Sequence, residues 1–319
     1  MKNNDLTVQV IAINHETPLV KHFVLESSSG QPLPAFTGGS HIVVKMTDDK
    51  GSYNNAYSLL SSPDQLSRYE IAVRLEENSK GGSAYMHNSV NLGDTLTIST
   101  PDNFFELSAS ADKHVLIAGG IGITPFMSQM VELQNRQADF ELHYGFRSQE
   151  HGAFAKQLIT AYPDHVNLCI DDEQTGLNIA ELIQGLDKSA HVYVCGPKPL
   201  IDIVIETCQQ AGFSSEQIHW EQFGEVAQSG NEFSVYLEKS AIELTIAEDS
   251  SILAEIEKNT SIDVECLCRN GVCGTCETMI LQGEAEHLDQ YLSEEEQAEQ
   301  QSMMICVSRA KGQRLVLDL

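Results

Sequence analysis

Basic side chains are scarce in this 319-residue chain, where 19 lysines and arginines face 46 aspartates and glutamates, for a formal net charge of −27 at pH 7. Such a surface repels nucleic acid and anionic membranes, which argues against both as partners. Two readings of the charge remain: solubility alone, or docking to a basic patch on a redox partner. Long apolar runs are also missing, since no stretch approaches the roughly 20 residues that cross a bilayer. The opening Met1-Lys-Asn-Asn-Asp-Leu-Thr lacks the charged-then-apolar layout of a signal peptide, so the expected compartment is the cytoplasm. Internal repeats and low-complexity tracts are absent. So is the full GxGxxG fingerprint with its downstream acid, which sets aside the commonest dinucleotide-binding pattern.

What the chain has instead is cysteine gathered near one end. Cys268, Cys273 and Cys276 stand as C-x4-C-x2-C, and Cys306 follows 30 positions later. That is the spacing of plant-type [2Fe–2S] ferredoxins. A two-iron cluster needs four thiolates, and one tight loop wraps only part of it. Gly271 and Gly274 let the loop curl close and turn its N–H groups toward the sulfurs. Structural zinc is the rival reading, but it usually pairs two short C-x2–4-C units, and here the fourth cysteine stands alone. Cys266 precedes the motif by two residues. The spacing assigns it, with Cys169, Cys195 and Cys208, to the free thiols of a reducing compartment.

A length of 319 residues exceeds one small ferredoxin-like unit and implies two or three domains. Residues 1–106 read as short strands broken by turns, with β-rich stretches at 7–13, 22–26, 41–46, 69–74 and 95–99, the rhythm of a small antiparallel barrel. Residues 107–224 alternate strand and helix: strands at 114–118, 140–146, 166–170 and 191–195, helices at 124–134, 150–160, 178–184 and 198–210. This predicts a doubly wound parallel sheet. Residues 225–232 are polar and read as a linker. Residues 233–319 open with a hairpin, 233–237 and 242–246, then a helix at 250–258 and the cysteine loop. Ser293 and Glu296 form a capping box for a short acidic helix before Cys306.

In the middle segment Gly119-Gly120-Ile-Gly122-Ile-Thr124-Pro125 follows a strand and opens a helix. Glycine there lets backbone approach a pyrophosphate at a helix N-terminus, and Pro125 suits the first turn. A second strand ends in Cys195-Gly196-Pro197. Each turn alone is an ordinary βα connection; two at neighbouring strand ends would line one cleft. In the first segment, Tyr57 and Ser58 suit an aromatic cofactor face and its ring nitrogens. Arg74, Lys80, Gly81, Gly82 and Ser83 suit a phosphate. Against this stand a tyrosine in a barrel core and a Gly-Gly-Ser hairpin turn. Chemistry favours the cofactor: a nicotinamide delivers two electrons together and a [2Fe–2S] cluster takes them singly, so a flavin is needed between them.

With Asn55-Ala56-Tyr57-Ser58-Leu59, Gly81 to Ser83, Gly119 to Pro125, Cys195 to Pro197, Trp220-Glu-Gln-Phe223 and the cysteines in this order, the chain resembles the phthalate-dioxygenase-reductase-like family over essentially its whole length. These are flavin- and iron–sulfur-containing reductases that feed Rieske oxygenases. The resemblance implies a flavin-binding barrel, a nucleotide-binding α/β domain and a β-grasp ferredoxin domain. It places Asn55, Ala56, Tyr57 and Ser58 along the flavin, Gly81 to Ser83 at the phosphate of FMN rather than FAD, Thr124 near flavin and nicotinamide, and Phe223 over the flavin face. Most relatives carry arginine at Asn55, and asparagine loses the bidentate charge pair with phosphate. Phosphate neutralisation then falls on Arg74 and Lys80.

The resulting expectation is an NADH-dependent reductase with FMN and a [2Fe–2S] cluster, whose electrons go to a Rieske-type oxygenase. Plant-type clusters near −400 mV and Rieske centres at about −150 mV or above leave roughly 250 mV of downhill drive, about four decades for one electron. Asp171-Asp172-Glu173 disfavours a 2′-phosphate, whereas Arg147 would welcome one, so NADPH stays open beside NADH. A self-sufficient ferric or flavin reductase and a cluster-based redox sensor are the other readings.

Overall fold

The computed structural model describes residues 5–49, 51–77, 81–173, 176–224, 229–289 and 291–319. The chain divides into two units, Met1–Phe223 and Gly224–Leu319.

The first unit opens with β1 (Leu6–Thr17), β2 (Val20–Ser27), β3 (His41–Asp48), β4 (Gly51–Ser58) and β5 (Arg68–Arg74), then α1 (Gly82–Asn88) and β6 (Thr95–Ile98). These strands form one antiparallel sheet in the order β4-β3-β6-β1-β2-β5. Its two edges meet where Leu59 bridges Ile71 and the Leu60 amide donates to the Glu70 carbonyl at 2.8 Å, which closes the barrel. Alternation puts Val8, Val10, Phe23, Leu25, Ile42, Val44, Ile71 and Ile98 inside. The rival reading of Gly81-Gly82-Ser83 as a hairpin turn gives way to the start of α1: Gly81 takes φ +129°, open to glycine alone, and the chain turns helical at Gly82.

The second half of this unit runs β7 (Lys113–Gly119), α2 (Thr124–Asn135), β8 (Asp139–Phe146), α3 (Ala155–Ala161), β9 (Val166–Ile170), α4 (Ile179–Gln184), β10 (Ala190–Cys195), α5 (Lys198–Gln210) and β11 (Ile218–Glu221). All five strands are parallel, in the order β11-β10-β7-β8-β9. The continuous burial of β7 is what a central parallel strand requires. Helix α3 starts later than its sequence pattern predicts because Phe154 adopts a left-handed conformation (φ 62°) immediately before it. Val20, Leu60, Ala72, Phe105 and Leu107 share one buried cluster with Ile123, Phe126, Met130 and Phe154, so barrel and parallel sheet have a common core.

The second unit contains β12 (Phe233–Leu237), β13 (Ile242–Ile246), α6 (Ile252–Asn259), β14 (Glu277–Gln282), β15 (Ala285–Glu286), α7 (Glu294–Glu299), β16 (Ser302–Met304), β17 (Arg309–Ala310) and β18 (Arg314–Leu317). Its main sheet is mixed, β13-β12-β18-β14-β16, with β12 and β18 parallel. Ser251 caps α6, and Ser293 with Glu296 forms the expected capping box on α7. Arg309 is almost wholly buried and donates to the carbonyls of Ser250, Ala247 and Asn231. Among the described residues no helix is long and apolar enough to cross a membrane.

Candidate functional sites

The strand order reverses between β7 and β10, and in open α/β sheets ligands bind at the carboxyl ends of the strands at such a switch point. Both glycine turns predicted from sequence lie there. Their glycines answer to one another as much as to any ligand. A Cβ on Gly122 would sit 2.2 Å from the Cys195 carbonyl oxygen and 2.5 Å from its carbon, and one on Gly119 would lie 2.9 Å from Pro197 Cδ. Gly196 in turn is tightly packed, with Gly119 Cα 3.0 Å from where its Cβ would be. The two turns interlock, and only glycine permits it. Gly120, by contrast, faces open space at φ +55°.

A 3-10 turn, Gly120–Ile123, leads into α2 with Pro125 in its first turn. Thr124 is buried, and its hydroxyl donates to the Ile121 carbonyl at 3.0 Å, which fixes this entry. Cys195 pairs in register with Glu221 across β10 and β11, so Gly122, Cys195 and Glu221 form a row along the strand ends. Sequence reading passed over Glu221. Its Oε2 is fully buried without a hydrogen-bond partner among the described residues, and burial pushes the carboxyl up to about 8, so at neutral pH it holds its proton. Burial likewise raises the Cys195 thiol well above the usual range, leaving it inert. Phe223, two residues beyond β11, is 36% exposed.

On the barrel, β4 carries Asn55 and Tyr57 on one face; Ala56 points to the other and is exposed, so its side chain does not join them. Tyr57 Oη, Ser58 Oγ and Ser61 Oγ are buried and have no hydrogen-bond partner among the described residues. Buried hydroxyls are rarely left so, and such a set fits a polar-edged ligand that completes it. The start of α1 lies against this strand. A Cβ on Gly82 would fall 2.0 Å from Asn55 Oδ1, and one on Gly81 2.0 Å from the Tyr53 ring. Ser83 Oγ accepts from the Glu76 amide at 3.3 Å, while Arg74 is ion-paired to Glu76 at 2.7 Å. Lys80 lies outside the described residues.

Sequence reading also missed how barrel and nucleotide half are tied. The Gly38 and Gly39 amides donate to Glu132 and Ser128 on α2, and Gln129 donates to the Phe105 carbonyl at 2.7 Å. A Cβ at Gly39 would meet that carbonyl oxygen at 2.5 Å. The tie holds the barrel against the helix that starts at the switch point. At the far edge, the Asp172 amide donates to the Arg147 carbonyl at 3.0 Å, placing the exposed acidic turn Asp171–Glu173 beside Arg147.

In the second unit the sulfurs converge. The Cys268 thiol lies within interaction range of Cys273 and Cys306, and the Cys306 thiol within that of Cys276. The Asn270 amide donates to Cys268 Sγ at 3.4 Å, as expected of a loop that aims its N–H groups at sulfur. Gly271 (φ +70°) is packed against Val307 and Asp289, and Gly274 (φ +73°) beneath the Tyr291 ring. Four thiols so close fit a thiolate-ligated iron pair. A fifth is present: Cys266, Cys276 and Cys306 have sulfurs all within 4.8 Å of one another. The spacing argument had set Cys266 apart.

Two family models match, a 2Fe-2S iron-sulfur cluster binding domain over residues 235–311 and an oxidoreductase NAD-binding domain over residues 116–206. The chain is 52% identical over 311 residues to the carnitine monooxygenase reductase subunit of Acinetobacter baumannii, covering 97% of this chain and 96% of that one. It is 51% identical over 314 residues to the subunit of the same name from Escherichia coli (strain K12), covering 98% of each. Among solved structures, phthalate dioxygenase reductase superposes with a TM-score of 0.76 at 32% identity, over 99% of this chain and 98% of that one. An intact type IV self-sufficient cytochrome P450 monooxygenase superposes with a TM-score of 0.80 at 31% identity, over 99% of this chain; the match spans 41% of that longer protein.

Proposed function

Because the chain belongs to the phthalate-dioxygenase-reductase-like family, we propose that it is the reductase component that takes electrons from NADH and delivers them, by way of FMN and a [2Fe–2S] cluster, to a Rieske-type oxygenase acting on carnitine. It is an NAD(P)H-dependent oxidoreductase of a monooxygenase system. The observation that carries the finer reading is the presence, on one chain, of a topological switch point bearing two glycine turns and of a convergent set of thiols. A flavin, when bound, supplies the conversion between two-electron and one-electron transfer that this pairing demands.

In this reading residues 1–106 hold flavin, 107–224 nucleotide, 225–232 are a linker and 233–319 hold the cluster. Tyr57 and Ser58 supply the hydroxyls for the flavin edge, and Asn55, Arg74, Lys80 and Gly81 to Ser83 hold its phosphate. FMN is favoured over FAD because relatives with Gly-Gly-Ser at this place, here the entry to α1, more often carry FMN. The interlocked turns, Gly119 to Pro125 and Cys195 to Pro197, orient the nucleotide, and Phe223 covers the flavin face where nicotinamide enters. Glu221 adds a protonated carboxyl to the wall of the crevice without adding charge. NADH is favoured over NADPH because three exposed carboxylates, Asp171 to Glu173, repel a 2′-phosphate beside Arg147. Cys268, Cys273, Cys276 and Cys306 ligate the cluster. The cytoplasm keeps these thiols and the remaining four reduced.

Carnitine rests on the relatives' names and on the segments 35–41, 55–61, 264–278 and 306–319, which resemble those of carnitine monooxygenase reductase subunits. The test is reconstitution of the full-length, cofactor-loaded protein with a Rieske oxygenase. Carnitine should trigger NADH consumption with release of trimethylamine, and kcat/KM should favour NADH over NADPH. NADH oxidation indifferent to the oxygenase would overturn the reading in favour of a self-sufficient reductase. A response to an aromatic substrate but not carnitine would retain the reductase role and remove the substrate.

A further inference from the structure

We infer that Cys266 is a reserve cluster ligand, able to take the place of Cys276 on iron. The inference rests on the [2Fe–2S] reading of the loop. Tetrahedral metal–thiolate bonds of about 2.3 Å set two sulfurs on one metal about 3.8 Å apart. Cys266, Cys276 and Cys306 have sulfurs within 4.8 Å of one another in all three pairings. Small side-chain movements therefore bring any two of them onto one iron. The Cys266 thiol is half-buried against the core of the unit, beside Cys276 and Cys306, rather than turned to solvent. If Cys276 is removed, two adjacent pairs remain, Cys266 with Cys306 and Cys268 with Cys273.

The backbone allows the exchange. Residues 261–276 lie outside any helix or strand, so Cys266 is held by no ladder of hydrogen bonds, whereas Cys276 immediately precedes β14 and is almost fully buried. The exchange moves protons and no electrons. Cys266 releases its thiol proton on binding iron, and the displaced Cys276 sulfur takes one up, so the cluster's oxidation state and thiolate count are unchanged. The physical consequence is a cluster that shifts to a neighbouring sulfur where one with only four thiols would lose iron.

The experiment compares full-length wild type, C266A, C276A and C266A/C276A by iron content per chain, visible circular dichroism and electron paramagnetic resonance after reduction. Wild type and C266A should both carry the cluster. C276A should retain at least half the wild-type iron, with an altered but all-thiolate spectrum, and the double variant should fall at least tenfold below C276A. Equal iron and spectra in C276A and the double variant overturn the inference. Should C276A not fold, the rate of iron loss to a chelator decides the matter in the intact ligand set: C266A should lose its cluster severalfold faster than wild type, and an unchanged rate overturns the inference. Absence of a [2Fe–2S] signal in wild type sinks the cluster reading instead.

Discussion

Replacing Glu221 by glutamine should make the first unit more stable, and increasingly so as pH rises. The carboxyl at the end of β11 has a buried, unpartnered Oε2, and burial alone lifts it from 4.5 to about 8. The unfolded chain releases this proton near pH 4.5, whereas the folded chain keeps it until about 8. Between those values the native state binds more protons than the unfolded state, so the group makes stability fall as pH rises, and the slope vanishes above 8. One pH unit is worth about 1.4 kcal/mol. From pH 5 to 7.5 the wild type should therefore lose on the order of 3 kcal/mol through this residue, and somewhat less where solvent reaches the side chain. For a unit of this size that is roughly 6–12 °C in melting temperature. The Gln variant keeps the neutral shape and lacks the slope. Trp220 is the single tryptophan of the chain and adjoins the substitution, so its fluorescence follows the melting of this unit specifically. Wild type and E221Q should melt together near pH 4.5 and diverge steadily to pH 8. Parallel profiles would refute the buried, protonated carboxyl.

Two further outcomes test the neighbouring sites. G122A forces a Cβ to 2.2 Å from the Cys195 carbonyl oxygen, against the Cys195–Gly196 peptide; kcat/KM for NADH with an artificial acceptor should fall on the order of 100-fold. G120A meets no atom and carries only the left-handed cost of about 1–2 kcal/mol, so thermal melting should place G122A well below it; equal melting temperatures would dismiss the interlocked turns. If the flavin is FMN as proposed, wild type should shed part of it on extended dialysis, because Asn55 offers no charge to the phosphate. N55R should tighten FMN about 10- to 100-fold, the worth of a charge-assisted contact of 1.5–3 kcal/mol. Stoichiometric FMN after dialysis, with no gain from N55R, would contradict this.

The parts of this molecule visible in its sequence are those where one physical rule acts locally. The buried run of β7, the hairpin of β12 and β13 and the capping box of α7 follow from burial, alternation and side-chain capping over a few residues. The cysteine loop is legible because four thiols at that spacing serve few purposes. What escaped is set by distant partners. Strand β11, Ile218-His-Trp-Glu, is half-buried at every position and shows no alternation to read. Helix α1 opens on Gly82 after Gly81 and has no side-chain cap, so its signature is that of a turn until Tyr53 and Asn55 are seen to crowd it. The glycines of the two strand ends read as cradles for phosphate, whereas Gly119, Gly122 and Gly196 are also crowded by the other turn. Glu221 has an ordinary sequence context and acquires its character from burial, and the approach of Cys266 to Cys276 and Cys306 depends on a fold that closes over 40 residues.

The core shared by barrel and parallel sheet bears on how such a chain can be cut and recombined. The texture changes near residue 106, which looks like a seam between two modules. Yet Val20, Leu60, Ala72, Phe105 and Leu107 are buried in the same cluster as Ile123, Phe126 and Met130. A fragment ending at that seam would present these side chains to water, as would its complement. Residues through 223 therefore constitute one cassette, to be exchanged, circularly permuted or expressed only as a whole, however clearly two textures are written into it.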